Sequence, residues 1–234
     1  NEAEFVVGKY NASFDESSIG ILGHPLFTIG CGTGDTDNER KSLLVATDNN
    51  SKLLDWSDRT CSILFGDGAG AMVVTVDDTK AYYSVSGSDG SKGHVLTGGA
   101  TLLKNMLVNK DETNIMTDDY YMHMDGQEVF KFAVTKVPEC ISAVLDKASL
   151  GADDIDYYIL HQANVRIISS VAKRLGVSPD KLPVNLNKYG NTSAATIPIL
   201  FDELRKDGTM DNAKRVIFSG FGGGLTWGAS LVEL

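Results

Sequence analysis

The chain has 234 residues, of which 42% are hydrophobic and 22% are charged, as is ordinary for a soluble globular protein. No apolar run approaches the roughly 18 residues that a membrane-spanning helix needs, which argues against a membrane protein. Lys and Arg number 21 against 31 Asp and Glu, and this net charge of −10 disfavours nonspecific nucleic-acid binding. The three cysteines are an odd, sparse set, which predicts the reducing cytoplasm rather than a disulfide framework.

The first third of the chain predicts several short strands. Residues 1–42 are polar and weakly periodic, whereas the apolar run SLLVAT (42–47) predicts a buried strand. SILF (62–65) and AMVVTV (71–76) predict two more strands, with a glycine-rich turn between them. AYYSVSGSDG (81–90) predicts a further strand that ends in turn residues.

The rest of the chain alternates helical stripes with strands. A capping-box spacing and an apolar i, i+4, i+7, i+11 pattern predict a helix over 124–150, and Pro138 inside it should kink the helix or shift its start. The following elements are then predicted in order: strand 157–160, a helix ending at Gly176, strand 183–186 (PVNL), helix 193–206, and a strand–glycine turn–strand over 215–234. This alternation predicts a layered α/β fold with a mostly parallel sheet.

Polar residues follow three of the predicted strands. His161 ends YYIL, Asn191 follows PVNL, and the FGGG turn (221–224) follows RVIFSG. Because α/β proteins place their sites at the carboxyl ends of strands, we expect these groups to meet at one edge. A neutral imidazole and an amide can both donate hydrogen bonds to a developing oxyanion. The alternatives are a structural hydrogen-bonded histidine and an asparagine that caps the next helix.

These residues lie in strings that resemble the signature loops of the β-ketoacyl-acyl-carrier-protein synthase III family. The strings are HQAN (161–164), GNTSAA (190–195) and FGGGLTWG (221–228), and FGDGAGA (65–71) and MDGQEVFKFAV (124–134) are similar too. The match runs from about Ser42 to Leu234. The resemblance implies a thiolase-like layered α/β fold (αβαβα) with mostly parallel mixed sheets. It implies an abbreviated N-terminal half (1–80) with the candidate nucleophile, and a C-terminal half (81–234) with His161 and Asn191.

The same resemblance implies an acyltransferase that initiates fatty-acid biosynthesis. In that family a Cys thiolate takes an acyl group from coenzyme A, and His and Asn promote decarboxylation of malonyl-acyl carrier protein. The resulting carbanion attacks the acyl-Cys. Carried over by position, the catalytic residues are Cys31, His161 and Asn191. No metal or redox cofactor is implied, and the partners are an acyl-coenzyme A and the acidic acyl carrier protein, with a homodimer as the family habit.

The resemblance also implies binding residues. Those for substrate are Arg59, Phe130, Gly222, Gly223 and Gly224, and those for the carrier protein are Gln162, Ala163, Asn164, Val165 and Arg166. Residues 161–188 form a locally positive segment that could steer an acidic carrier protein. The alternatives are a core helix residue for Phe130, a solvated loop arginine for Arg59, and a solvated charged face for the segment.

The nucleophile departs from the family pattern. Cys31 stands in HPLFTIGCGTG, and a short polar segment follows it where the family has a long apolar helix. Cys61 and Cys140 lie in apolar patterns and are predicted core residues. The alternative function is therefore an inactive or truncated thiolase-fold remnant that binds a carrier protein or another chain. A condensing enzyme of polyketide or other secondary metabolism is a further alternative. The distance of Cys31 from His161 and Asn191 should show whether the chain is a working synthase or an inactive remnant.

Overall fold

A computed structural model describes residues 27–31, 41–75, 77, 79–98 and 121–234, with the backbone alone for 27–31, 41–43 and 75. The strands are β1 (Phe27–Cys31), β2 (Lys41–Asp48), β3 (Gly68–Thr75), β4 (Tyr82–Ser88), β5 (Leu96–Thr97), β6 (His123–Met124), β7 (Tyr157–Leu160), β8 (Arg215–Gly222) and β9 (Thr226–Glu233). The α-helices are α1 (Gly126–Ala148), α2 (Val165–Leu175), α3 (Leu186–Tyr189) and α4 (Thr196–Lys206). No helix among these residues is both long and apolar enough to cross a membrane.

The described strands form two larger sheets and one small one. The first has the order β1-β2-β3, the second β4-β9-β8-β7, and β5 pairs with β6. The prediction of a mostly parallel arrangement is wrong for these strands, because only the β7–β8 ladder among them is parallel. β8 and β9 are joined by a short glycine turn, and so tight a link permits only an antiparallel hairpin, whereas helices separate β7 from β8.

Alternate residues of the second sheet face two different helical layers. Tyr158 on β7 and Ile217 on β8 pack in the core with α1 and α2. Their neighbours Ile159 and Val216 pack against α4 on the opposite face, as the pleat of a strand requires. β3 lies against α4 in turn. The described layers are thus helix, sheet, helix and sheet.

Local signals place the helix ends as predicted. The Asp125 carboxylate caps α1 by accepting from the N–H groups of Gln127 and Glu128, and the helix continues through Pro138. Gly176 ends α2 in the left-handed region, with φ of 72°.

Two predicted strands are wrong. Residues 61–64 form turns, and Phe65 makes an isolated bridge to Asn191. Residues 183–185 are irregular and lead into α3 rather than forming a strand. A four-residue apolar run cannot by itself distinguish a buried strand from a buried loop.

Candidate active site

A cavity of about 500 Å³ lies where β7, β8 and the N-terminal ends of α1 and α2 meet. His161, Asn191 and Phe130 line it, together with Phe221 and Gly222–Gly223. This volume is in the usual range for a small-molecule site, and most of the lining is apolar. The structure therefore brings His161, Asn191 and part of the glycine turn together, as predicted.

His161 follows β7 directly, and its backbone N–H donates to the carbonyl of Ser219 on β8 at 2.8 Å. Its ring meets the Phe221 ring edge-on, with centroids 5.4 Å apart and an interplanar angle of 75°. Its Nδ1 lies 2.7 Å from Oγ1 of Thr196, the first residue of α4. Two sheet strands and one helix thus orient the imidazole.

Asn191 lies in the loop after α3 rather than at a strand end. Thr192 and Ala195, not Asn191, occupy the N-cap positions of the 3₁₀ turn Ser193–Ala195 and of α4, so the alternative of Asn191 as a helix cap is wrong. The Asn191 Oδ1 instead accepts the N–H of Ser193 at 2.8 Å. This bond orients the amide and leaves Nδ2 as its donor group. The backbone of Asn191 donates to the Leu64 carbonyl and accepts from Gly66, both at 2.9 Å. A distant segment of the chain therefore holds this loop against the cavity.

Gln162 is buried, and its predicted contact with a carrier protein is wrong. The side chain has 0% exposure. Its Nε2 donates to the carbonyl of Leu160 at 2.8 Å, and its Oε1 accepts the N–H of Asn185 at 3.3 Å. Gln162 therefore joins the His161 and Asn191 loops from inside the protein, where no partner can reach it.

The next four residues lie at or near the mouth of the cavity. Ala163, Asn164 and Arg166 line it, whereas Val165 is 49% exposed. Asn164 also caps α2 by accepting the N–H of Arg166 at 2.8 Å. The Arg166 guanidinium lies 5.3 Å from the centroid of the Phe130 ring, a cation–π contact. Phe130 both lines the cavity and packs against the core, so its two interpretations are compatible.

Arg59 and Gly224 stand apart from this lining. Arg59 is exposed in the turn region 55–64 and does not line the cavity that the described residues form. Gly224 has a φ of 132°, a conformation that side chains rarely tolerate, and so permits the turn between β8 and β9. The described residues also contain no group of three His, Cys, Asp or Glu side chains suited to a metal ion.

The backbone of Cys31 lies at the end of β1, opposite Lys41 on β2. Asp48 at the other end of β2 accepts the N–H of Ala194, beside the Asn191 loop. Lys41 and Asp48 are seven residue steps apart along an extended strand, which is roughly 23 Å. The β1–β2 register therefore places Cys31 away from His161 and Asn191, while its side chain lies outside the described residues.

The other two cysteines are buried in the core, as predicted. Burial raises the pKa of the Cys61 thiol, and it raises the pKa of Cys140 to about 11. Neither is therefore a ready thiolate.

The sequence analysis did not identify Thr196, whose hydroxyl contacts His161. Its residue type was the available signal, because Thr196 is a polar residue within the predicted helix 193–206, five residues after Asn191. Side-chain direction at that position depends on how α4 meets β7, which no local pattern specifies.

Comparisons with known proteins agree with this geometry. The family described as 3-oxoacyl-(acyl-carrier-protein) synthase III matches residues 28–90, and its C-terminal counterpart matches residues 145–234. The β-ketoacyl-acyl-carrier-protein synthase III of Streptococcus mutans is 41% identical over 198 residues, covering 83% of this chain and 60% of the relative. The chain thus spans about 60% of the length of the curated relatives it matches.

Solved structures show the same likeness. The synthase III of Thermus thermophilus superimposes with a TM-score of 0.73 at 36% identity, covering 83% of this chain and 59% of the other. A priming β-ketosynthase from the R1128 polyketide pathway superimposes with a TM-score of 0.70 at 30% identity, covering 83% and 57%.

Proposed function

The chain belongs to the 3-oxoacyl-(acyl-carrier-protein) synthase III family and has its thiolase-like fold, and we propose that it catalyses the family's initiating condensation. The reaction joins a short acyl-coenzyme A to malonyl-acyl carrier protein with loss of CO₂. The observation that carries the proposal is that His161 and Asn191 line one apolar cavity of about 500 Å³. The chemistry requires no metal or redox cofactor.

Decarboxylation is the step that this cavity suits best. The bond between the malonyl carboxylate and its methylene carbon breaks, CO₂ leaves, and the electron pair moves into a thioester enolate. Asn191 Nδ2 and the His161 imidazole are the groups proposed to stabilise the enolate oxygen. Hydrogen bonds are stronger beside apolar walls than in bulk water, so the mostly apolar lining of the cavity increases this stabilisation.

Condensation then requires an acyl donor close to the enolate. The enolate carbon attacks the acyl thioester carbonyl, and the thiolate leaves as the new carbon–carbon bond forms. The family resemblance makes Cys31 the proposed carrier of this acyl group, but the β1–β2 register places its backbone away from His161 and Asn191, so the acetylation test below decides whether Cys31 or another residue carries it. Gly222 and Gly223 are proposed to present backbone N–H groups to the reacting thioester. Phe130 is proposed to contact the acyl group and Arg59 the coenzyme.

The remaining assignments concern the partner and the organisation of the chain. Ala163, Asn164, Val165 and Arg166 form the proposed contact with acyl carrier protein. We also propose that the chain divides near residue 80 into an N-terminal and a C-terminal half, since β1–β3 end at Thr75 and β4 begins at Tyr82. The reducing cytoplasm, predicted from the sparse cysteines, is the proposed compartment.

The proposal is tested by intact-protein mass spectrometry after incubation with acetyl-coenzyme A. We expect a gain of one acetyl group in the full chain and none in the Cys31→Ala variant. Acetylation that persists in Cys31→Ala would assign the nucleophile to another residue. No acetylation of a folded sample would contradict the condensing activity.

A parallel assay of CO₂ release from malonyl-acyl carrier protein tests the decarboxylation pair separately. Asn191→Ala should keep acetylation and lose about 10²–10³-fold of the CO₂ release, the usual effect of removing one oxyanion donor. Equal CO₂ release by Asn191→Ala and the unaltered chain would overturn the role of Asn191.

A further inference from the structure

The peptide group that joins Leu160 to His161 is held from two opposite sides. Its N–H, which belongs to His161, donates to the Ser219 carbonyl on β8 at 2.8 Å. The N–H and C=O of a trans peptide point in opposite directions, so the Leu160 carbonyl points away from β8. Gln162 Nε2 donates to that carbonyl at 2.8 Å. The backbone at His161 is therefore fixed between a sheet strand and one buried side chain.

The same Gln162 amide also bonds to the segment that leads to Asn191. Its Oε1 accepts the N–H of Asn185 at 3.3 Å, and its Nε2 lies 3.5 Å from the Pro183 carbonyl. Asn185 is the N-cap of the four-residue helix α3, which leads through Gly190 to Asn191. Gln162 therefore connects the backbone of one proposed catalytic residue to the segment that carries the other.

These bonds need a side chain that donates and accepts at the same time. The Leu160 carbonyl requires a donor and the Asn185 N–H requires an acceptor, and a side-chain amide provides both. A carboxylate provides only acceptors, and an aliphatic side chain provides neither. Gln162 is 0% exposed, so losing its amide would leave buried polar groups without these partners, which is costly.

We propose that Gln162 is a positioning residue that keeps His161 and Asn191 at the spacing that decarboxylation requires. Gln162 does not line the cavity that the described residues form, so it acts through these two residues rather than on the substrate. A displacement of about 1 Å between groups that act together can lower a rate about 10²-fold. The hydrogen-bonded link follows from geometry, whereas its effect on CO₂ release rests on the proposed function.

Amide hydrogen exchange, followed by NMR in the full chain, tests the link without substrate. In Gln162→Leu the Asn185 N–H loses its acceptor, and we expect its protection to fall about tenfold relative to the amides of α1. Ser230→Ala is the control, because it removes another buried hydroxyl bond, to Tyr82, without touching either loop. Unchanged relative protection of Asn185 in folded Gln162→Leu would overturn the inference.

Gln162→Glu tests the effect on CO₂ release from malonyl-acyl carrier protein. Burial beside a carbonyl oxygen raises the pKa of the introduced carboxyl group, and its protonated form again donates and accepts as the amide does. We expect kcat, as a ratio to the unaltered chain, to be about 10²-fold low at high pH and to recover as pH falls through that pKa, with KM little changed. His161 and Glu203 are present in both proteins, so the ratio removes their own titration.

A kcat ratio for Gln162→Glu that does not depend on pH, or a change confined to KM, would contradict the positioning role. If the unaltered, folded chain releases no CO₂, the proposed function fails and the exchange of the Asn185 amide still decides the link. If Gln162→Leu does not fold, Gln162→Met takes its place, because it keeps the length of the side chain without the amide.

Discussion

At the scale of single residues, Gly66 shows how closely the Asn191 loop approaches the rest of the chain. A Cβ built on Gly66 would lie 2.2 Å from the carbonyl oxygen of Tyr189, which is backbone and cannot swing aside. We expect Gly66→Ala to lower the free energy of unfolding by about 1–3 kcal/mol, the usual cost of overpacking. Urea unfolding at equilibrium measures this change.

Gly90→Ala is the matched control for Gly66→Ala, because no atom lies within 4 Å of the Cβ position at Gly90. The urea midpoint of Gly90→Ala should differ little from that of the unaltered chain, as is usual for substitutions at open surface positions. Equal urea midpoints for the two variants would show that the loop accommodates a side chain at Gly66 without strain.

At the scale of elements, Glu203 on α4 accepts hydrogen bonds from three residues of the segment 185–189, which precedes Asn191. Its carboxylate accepts from Asn185 Nδ2 at 2.8 Å, from Tyr189 OH at 2.7 Å and from Lys188 Nζ at 3.1 Å. Asn185 in turn donates its backbone N–H to Gln162, beside His161. One helix residue therefore connects both loops of the cavity.

We expect Glu203→Gln to lower the free energy of unfolding by about 1–2 kcal/mol near neutral pH, since it weakens several charge-assisted hydrogen bonds. Asp202→Asn is the control, because its partner Lys206 is an exposed i+4 neighbour, and solvent-screened pairs of this kind contribute little to stability. Burial alone would raise the pKa of Glu203, but the bonds from Asn185, Tyr189 and Lys188 outweigh it and lower that pKa below 4.5.

A folded-state pKa below the unfolded value means that the stabilisation is complete above the unfolded pKa and is lost as pH falls. The advantage of the unaltered chain over Glu203→Gln should therefore shrink below pH 4.5. Urea midpoints of both proteins, measured from neutral pH downwards, test this. A gap that is constant across the range would mean that Glu203 titrates alike in the folded and unfolded states.

The elements that the sequence predicted correctly are those with local signals. The cap at Asp125, the apolar stripe of α1 and the glycine after α2 all act within a few residues, and the structure confirms them. The segments 62–65 and 183–186 carry no such signal. Local turns satisfy the N–H groups of Ser62 and Leu64, but the Leu64 carbonyl accepts from Asn191, far away in the sequence. The Asn185 N–H likewise donates to Gln162, 23 residues earlier. The antiparallel pairing of β8 and β9 did have a local signal, the short glycine turn between them, and the prediction of a mostly parallel sheet overlooked it.

At the scale of the whole molecule, the site was predictable in part. His161 and Asn191 were identified from residue type, loop strings and family resemblance, and the structure brings both to one cavity. The hydrogen bond from Asn50 Nδ2 to the Asn191 carbonyl, at 3.5 Å, spans 141 residues, and no local pattern encodes such a contact. Thr196 and the inward direction of Gln162 likewise depend on how α4, β7 and the loops pack together.

The charge of the whole molecule constrains how it could bind the proposed acyl carrier protein. A chain with a net charge of −10 repels an acidic partner overall, so docking depends on local cations near the cavity. Arg166 is exposed at the cavity mouth and stacks on Phe130, which holds its charge beside the opening.

We therefore expect Arg166→Ala to raise the KM for malonyl-acyl carrier protein about tenfold, equivalent to ~1.4 kcal/mol, while kcat changes little. Arg205→Ala is the matched control, because Arg205 makes a similar contact with Phe201, at 5.9 Å, and does not line the cavity. Steady-state kinetics on both variants measure the effect. Equal KM values for the two would show that Arg166 contributes only a general charge, and that carrier-protein docking lies on another face.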